Sequence, residues 1–274
     1  MPGTALGLAL AAACVHALWN LLLARARDPE AATAVALIVA VLAFAPVAAA
    51  VWDVRASVWP FLLGSGAFQL SYFVLLGAAY RLAPLSVVYP LARGTAPVLV
   101  LVIGVAALGR ETSWGQAAGV CLVGAGVLLV RGFGRAADGS GVAFGLAIAC
   151  CIAAYTLIDK NGVRHAGPIP YLELAMIGPS LAYAAGIARL KGRAVLRSEL
   201  GPSTVIAGLA VFGAYALVLA ALQRASAASV AAVRETSVLL TAVLAGAVLR
   251  ERVGPGRLAG AALVAGGVAL LSLA

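Results

Sequence analysis

Two arginines stand inside stretches of sequence that are otherwise apolar enough to lie in lipid. Arg93 belongs to SVVYPLARGTAPVLVLV, and Arg234 belongs to SVAAVRETSVLLTAV. On insertion scales, a guanidinium at the centre of a bilayer costs about 2.5–3.5 kcal/mol. Such a group should therefore face water, a carboxylate or backbone carbonyls. The two arginines predict a polar cavity, a gate or an ion pair inside a membrane protein.

Two prolines flank Arg93, and each removes one backbone donor from its helix. Pro90 precedes the arginine by about one turn and Pro97 follows it by about one turn. Missing backbone donors favour a kinked, partly unwound helix that lines a cavity, so we predict a hinge at both prolines. Snorkelling of Arg93 to an interface, or a structural tie to another helix, remains an alternative.

Arg234 is followed directly by Glu235, so two opposite charges adjoin in one apolar run. Neighbours on a helix point about 100° apart and cannot simply pair side by side, so at least one should reach another helix or a cavity. Glu235 is a candidate proton or cation site, and Thr236 adds a hydroxyl. A structural salt bridge between two parts of the chain is an equally open interpretation.

Further polar side chains recur at helical spacing within the apolar runs. His16 and Asn20 are four residues apart and share one helix face, with Trp19 beside them. Tyr155 and Asp159 repeat that spacing, but Asp159 and Lys160 lie near a helix end and suggest an interfacial anchor. Amide, phenol and imidazole groups suit hydrogen bonding to a polar organic solute. The predicted cavity wall comprises His16, Trp19, Asn20, Gln69, Tyr72, Tyr89, Arg93, Tyr155, Tyr215, Arg234, Glu235 and Thr236.

The composition shows which solvent surrounds these residues. The 274 residues are 64% hydrophobic and 11% charged, with a mean hydropathy of +1.06, whereas soluble proteins are roughly 45–50% apolar and about 25% charged. The net charge of +9 comes from arginines between apolar runs, which indicates lipid headgroup contact rather than nucleic acid binding. Neither a Cys/His cluster nor a catalytic or nucleotide-binding motif is found, so we expect no enzyme activity, metal or cofactor.

The apolar runs divide the chain into about ten spans, each near the ~20 residues that a helix needs to cross a bilayer. We predict an all-α integral membrane protein whose spans are Gly3–Leu23, Ala31–Val51, Val58–Tyr80, Leu85–Leu108, Trp114–Val130, Gly141–Ile158, Ile169–Leu190, Ser203–Leu222, Ala227–Leu249 and Gly256–Leu273.

The two halves of the chain resemble each other. GRETSWGQAAG follows the fourth span and LRERVGPGRLAG follows the ninth, each with an Arg-Glu pair and then two glycines four residues apart. These glycines favour close helix packing. Residues 1–131 and 141–274 are therefore predicted to be five-helix repeats joined by a linker at 132–140. An odd number of spans per repeat inverts the second repeat in the membrane, which is typical of secondary transporters with a central binding site.

Several of these segments resemble an EamA-type member of the drug/metabolite transporter superfamily. The resemblance rests on HALWN in the first span, PLARGTAP in the fourth, the two Arg-Glu turns and the doubled layout. It implies ten helices in two inverted halves around a central cavity, with both termini in the cytoplasm. It also implies export or uptake of small organic solutes by alternating access.

We therefore expect a secondary transporter of the bacterial cytoplasmic membrane, an exporter or exchanger of a small polar or amphipathic metabolite or drug. Its partners would be that solute and membrane lipid, and it would act as a monomer or homodimer. Proton coupling, with Glu235 or His16 as the carrier, is open. A membrane-embedded enzyme and a scaffold or sensor are the alternatives.

The loop arginines favour the opposite orientation to that of the family, because more of them lie in the loops that the family places outside.

Overall fold

The structure is a computed structural model that describes residues 1–83, 85–131, 139–240 and 255–274. Most of the predicted linker, the Arg-Glu turn of the second half and the end of the ninth predicted span lie outside the described residues. The helices are α1 (Gly3–Ala24), α2 (Pro29–Ala50), α3 (Trp59–Leu82), α4 (Leu85–Ala106), α5 (Trp114–Arg131), α6 (Gly139–Gly162), α7 (Pro168–Lys191), α8 (Arg193–Ser198), α9 (Pro202–Leu222), α10 (Ala227–Arg234), α11 (236–240) and α12 (Pro255–Leu273), with a short 3₁₀ turn at Ala56–Val58.

The helices have the length and composition of membrane spans. Within the described residues, 6 helices are long and apolar enough to cross a bilayer, and α4, α5 and α12 contain shorter apolar helices. Pro29, Pro168 and Pro202 begin α2, α7 and α9, a position where the missing backbone donor costs no helical hydrogen bond. The chain is thus a multi-pass membrane protein.

Contacts between helices follow an approximate two-fold pattern. Matching the halves in order pairs α1 with α6, α2 with α7, α3 with α9, α4 with α10 and α11, and α5 with α12. The packing of α1 on α9 then recurs as α6 on α3, and that of α2 on α9 recurs as α7 on α3. Likewise, α4 packs on α6 and α10 on α1, while α5 packs on α12 and α2 on α7. Two similar repeats therefore enclose one interior.

Glycines set the close approach of α5 and α12. A Cβ added at Gly119 would lie 3.0 Å from the carbonyl oxygen of Gly267, and one at Gly126 would lie 2.7 Å from that of Gly260. The predicted packing role is confirmed at Gly119. It is wrong for Gly256, where an added Cβ would have no neighbour within 4 Å, because this residue lies in the first turn of α12.

We expect Gly208→Ala to destabilise the protein by about 1–3 kcal/mol, the usual cost of overpacking. An added Cβ at Gly208 in α9 would overlap the carbonyl oxygen of Ala36 in α2, and rigid backbone cannot move aside cheaply. Gly213→Ala in the same helix is the matched control, since nothing lies within 4 Å of its added Cβ. Thermal unfolding in detergent measures both; equal midpoints would contradict this packing.

Candidate functional site

A cavity lies between the two repeats, and most of the residues that were predicted for its wall do line it. The free space is about 100 Å³, smaller than the ~300–1,000 Å³ of sites that enclose drug-sized ligands. It is bordered by α1, α2, α3, α4, α6, α7, α9 and α10. The predicted residues along it are His16, Trp19, Asn20, Gln69, Tyr72, Tyr89, Arg93, Tyr155, Tyr215 and Arg234. Their binding of a solute stays a prediction.

The three buried charges of the sequence motifs form one cluster. Nη1 of Arg93 lies 3.4 Å from Oε1 of Glu235, and Nη2 of Arg234 lies 3.3 Å from the same oxygen. Arg93 is 4% exposed, Arg234 3% and Glu235 0%. Arg93 therefore does not snorkel. The cluster ties α4 of the first repeat to the second repeat, and both arginines also line the cavity.

Two residues of the predicted wall lie behind it. Glu235 is fully buried beneath the arginines, and Thr236 donates its hydroxyl to the carbonyl oxygen of Val233 at 2.8 Å. Neither belongs to the cavity lining. In this structure they therefore lie outside the cavity wall, with Glu235 at the break between α10 and α11, and a role for them in solute binding stays a prediction.

The helix break occurs in the second repeat rather than at the prolines. A turn at Glu235 separates α10 from α11. Its backbone hydrogen bonds link residues three positions apart: Glu235 N donates to Ala232 O, and Val238 N donates to Glu235 O, both at 3.0 Å. In the first repeat, α4 continues as a helix through Pro90 and Pro97. The predicted unwinding there is wrong, since each proline removes only one hydrogen bond. Their hinge role stays a prediction.

His16 connects the cluster to α1. Trp19 Nε1 lies 3.2 Å from its Nδ1, and Arg93 Nη2 lies 2.8 Å from its Nε2. The amide of Asn20 donates to the backbone oxygen of His16 at 2.9 Å. Both ring nitrogens of His16 thus face groups that can only donate.

Aromatic rings surround the arginines. Tyr155 packs edge-on against Tyr72 and Tyr215, with centroid separations of 6.3 Å and 5.8 Å. The guanidinium of Arg93 lies 5.5 Å from the centre of the Tyr89 ring, within cation–π range. The cavity therefore combines a cationic group with an aromatic wall.

Asp159 is a residue that sequence reasoning misjudged. It is 0% exposed, and its carboxylate accepts hydrogen bonds from the hydroxyls of Tyr171, at 2.7 Å, and Tyr215. The predicted interfacial anchor is therefore wrong for Asp159, because α6 continues to Gly162 and α7 folds back over it. Lys160 does lie near a helix end: its ammonium donates to the oxygen of Leu222, the last residue of α9, and to that of Ala225 just after it.

Asp159→Ala should cost about 1–3 kcal/mol, the price of leaving buried hydroxyl donors without an acceptor. The matched control is Asp53→Ala, since the carboxylate of Asp53 lies in an exposed loop. Thermal unfolding of both variants measures the difference. If the two lose equally little, the Tyr171 and Tyr215 hydrogen bonds do not stabilise the fold.

Two loops are joined at the end of the bundle that this cavity does not approach. Val54 and Ala166 form an antiparallel bridge, flanked by hydrogen bonds from Arg55 N to His165 O, at 2.9 Å, and from Gly167 N to Asp53 O, at 2.8 Å. The cavity instead extends to Ala24 and Thr33. Because α2 spans 22 residues, or roughly 33 Å, Thr33 and Val54 lie towards opposite ends of the bundle.

At the end that the cavity approaches, ion pairs join α2, α3 and α7. Lys191 Nζ lies 2.7 Å from Asp28 Oδ2 and 2.5 Å from Glu30 Oε2, and Arg81 lies 3.6 Å from Glu30. Burial opposes the charge on Asp28, but hydrogen bonds from Lys191 and from the amide of Ala31 outweigh it and hold its pKa below the usual range. These ion pairs stabilise this end of the bundle, which we call the rim.

The chain is similar to known membrane transporters. The sequence pattern of the EamA-like transporter family matches residues 3–132 and 139–273. A solved crystal structure superposes with a TM-score of 0.77 over 100% of this chain and 99% of that chain, at 17% sequence identity. That identity shows a shared fold only. No curated protein matches the sequence significantly.

Proposed function

Because the chain belongs to the EamA-like transporter family, a family of membrane transporters in the drug/metabolite transporter superfamily, we propose that it is a secondary transporter working by alternating access. Its solute would be a small polar or amphipathic organic molecule that binds in the cavity between the repeats. The observation that carries this proposal is a cavity with buried charges that extends towards one end of the bundle, while a bridge joins two loops at the other end.

The proposal includes ten membrane-spanning helices in two inverted repeats. The 6 residues of α8 are too few to cross a bilayer, which leaves five crossings in each half if α10 and the segment after it cross once. An odd number inverts the second half, and the two-fold contact pattern supports this arrangement. An even total places the termini on one side; the amino group of Met1 donates to the oxygen of Leu271 at 3.2 Å, in agreement.

Transport would require the two ends to exchange roles. The bridge between Val54 and Ala166 would separate while the rim around Thr33 closes over the solute. Candidate pivots are the prolines of α4 and the break at Glu235, which occupy corresponding places in the two repeats. We propose export or exchange, across the cytoplasmic membrane of a bacterium.

The orientation that we propose places both termini in the cytoplasm, as in the family, so that the cavity extends towards the outside. The basic residues near the rim, among them Arg25 and Arg27, favour the reverse. Fusing a reporter that works on only one side of the membrane to the C-terminus decides between these orientations. Activity of a cytoplasmic reporter supports the proposal, whereas activity of a periplasmic reporter overturns the orientation alone.

A ligand screen followed by flux measurements tests the function. Amino acids, sugars, nucleosides, organic acids and cationic drugs are screened for thermal stabilisation of the purified protein, which reaches about 2.7 kcal/mol at 100 times Kd. Every stabilising solute is then measured for uptake into proteoliposomes. We expect at least one hit to be carried faster than into protein-free liposomes. If hits bind but none is carried, the protein is a receptor or sensor instead.

A further inference from the structure

We infer that the solute carries a carboxylate, which binds between Arg93 and Arg234, and an aromatic ring, which packs on the tyrosine wall. This inference deepens the proposed transport function and rests on it. The arginines' donors, the contacts of His16 and the segregation of charge within the cavity each support it.

Charges around the cavity are segregated by sign. Both buried arginines line it, whereas Glu235 and Asp159 are 0% exposed and are not part of the lining. If Asp159 is ionised, the four charges sum to zero, yet its oxygens are held by tyrosine hydroxyls behind the wall. Among the described residues, the only ionised side chains presented to the cavity are the two guanidinium groups. The charged groups at the cavity surface are therefore positive, which favours an anion over a cation there.

The arginines have more hydrogen-bond donors than acceptors to pair with. Each guanidinium has five N–H donors, but Arg93 and Arg234 share a single carboxylate oxygen of Glu235. Nε of Arg234 is buried and has no hydrogen-bond partner among the described residues. A carboxylate offers two acceptor oxygens in the planar geometry that a guanidinium fork matches. A carboxylate would offer Nε of Arg234 an acceptor that the described residues do not supply, although Oε2 of Glu235 is also buried without a partner among them.

His16 indicates the same missing acceptor. Trp19 and Arg93 both direct N–H groups at its ring, one at each nitrogen. A neutral imidazole has only one acceptor nitrogen. At the other ring nitrogen, the N–H of His16 therefore points at the N–H of Trp19 or of Arg93. A carboxylate at the cavity would accept from Arg93 and from the remaining N–H of His16, which removes the conflict. A proton on His16 would make it worse, so His16 does not suit a proton carrier in this state.

The aromatic part of the cavity wall suits an aromatic ring. Tyr72, Tyr155 and Tyr215 form an edge-on row, and Phe212, Leu172 and Met176 complete an apolar surface. Aromatic pairs contribute to binding beyond the burial of their area.

Three probes that differ only in their end group test the inference. They are 3-phenylpropanoate, 3-phenylpropanamide and 3-phenylpropylamine, added to the purified full-length protein while thermal unfolding is recorded. We expect the carboxylate to stabilise the protein with a Kd at least about tenfold lower than that of the amide, and the amine to give no stabilisation. The inference is overturned if the amide or the amine binds as tightly, or if about 10 mM carboxylate gives no shift.

Conservative variants locate the binding site. Arg93→Lys and Arg234→Lys keep the charge beside Glu235 but lose the planar fork, so each should weaken carboxylate binding by about tenfold or more. Arg224→Lys is the matched control, because among the described residues this exposed arginine donates its hydrogen bond to the nearby oxygen of Ala220 and to no carboxylate. Unchanged affinity in both cluster variants would place the carboxylate elsewhere. Preferred binding and flux of the amine would reject this inference while leaving the transporter proposal intact.

Discussion

Linking Val54 to Ala166 should stop transport. Residues opposite each other in an antiparallel bridge have Cα atoms about 4.5–5.5 Å apart, within the ~4.4–6.8 Å that a disulfide requires. The variant Val54→Cys/Ala166→Cys can thus be oxidised without moving the backbone far. Its native cysteines Cys14, Cys121, Cys150 and Cys151 are first replaced by alanine, since all four are free thiols.

The expected result is flux at the level of protein-free liposomes after oxidation, and recovery after reduction. The physical reason is that the bridge joins two loops at the end opposite the one to which the cavity extends, and a covalent link would keep these loops from separating. Solute uptake into proteoliposomes is measured before oxidation, after oxidation and after reduction. The single variants Val54→Cys and Ala166→Cys, treated identically, control for oxidation itself. Full flux in the cross-linked protein would show that this end does not open during transport.

Glu235→Gln should destabilise the protein by about 3–5 kcal/mol, the usual effect of removing one partner from a buried ion pair. The carboxylate of Glu235 is the shared partner of Arg93 and Arg234, and its loss leaves two like charges buried together. Thermal or denaturant unfolding in detergent measures the loss. Glu111→Gln is the control, because Glu111 lies in an exposed turn.

A second variant separates the ion pair from the side chain's packing. Replacing Arg93 and Glu235 together by methionine removes one cation along with the carboxylate, and should cost less than the sum of the single replacements. Additive losses would mean that the 3.4 Å contact contributes nothing. If Glu235→Gln matches its exposed control, the cluster does not hold the repeats together.

Much of the cavity follows from the sequence, because lipid leaves polar side chains few places to lie. Arg93 and Tyr215 are far apart in the chain, yet each interrupts an apolar run, and such residues face a bundle's interior. Both line the same cavity. The matched motifs predicted two repeats. The family pattern, which matches residues 3–132 and 139–273, confirms that the chain has two.

The misjudged residues depend on how helices meet, which spacing along one helix does not reveal. Asp159 looks like a helix-end residue until Tyr171 from α7 and Tyr215 from α9 bond to it. Its signal was present, since it corresponds to Asn20 in the repeated spacing. The break at Glu235 could not be predicted from a proline, since none lies beside it, whereas α4 remains helical through two prolines.

Access to the cavity from the two sides of the membrane tests alternating access most directly. Asn20→Cys, in a background without the four native cysteines, places a thiol on the cavity wall. Proteoliposomes of one orientation are treated with a membrane-impermeant thiol reagent, added either outside or inside. We expect labelling from both sides, faster from the end where α1 meets α2. Labelling from that end alone would contradict alternating access and leave a one-sided receptor.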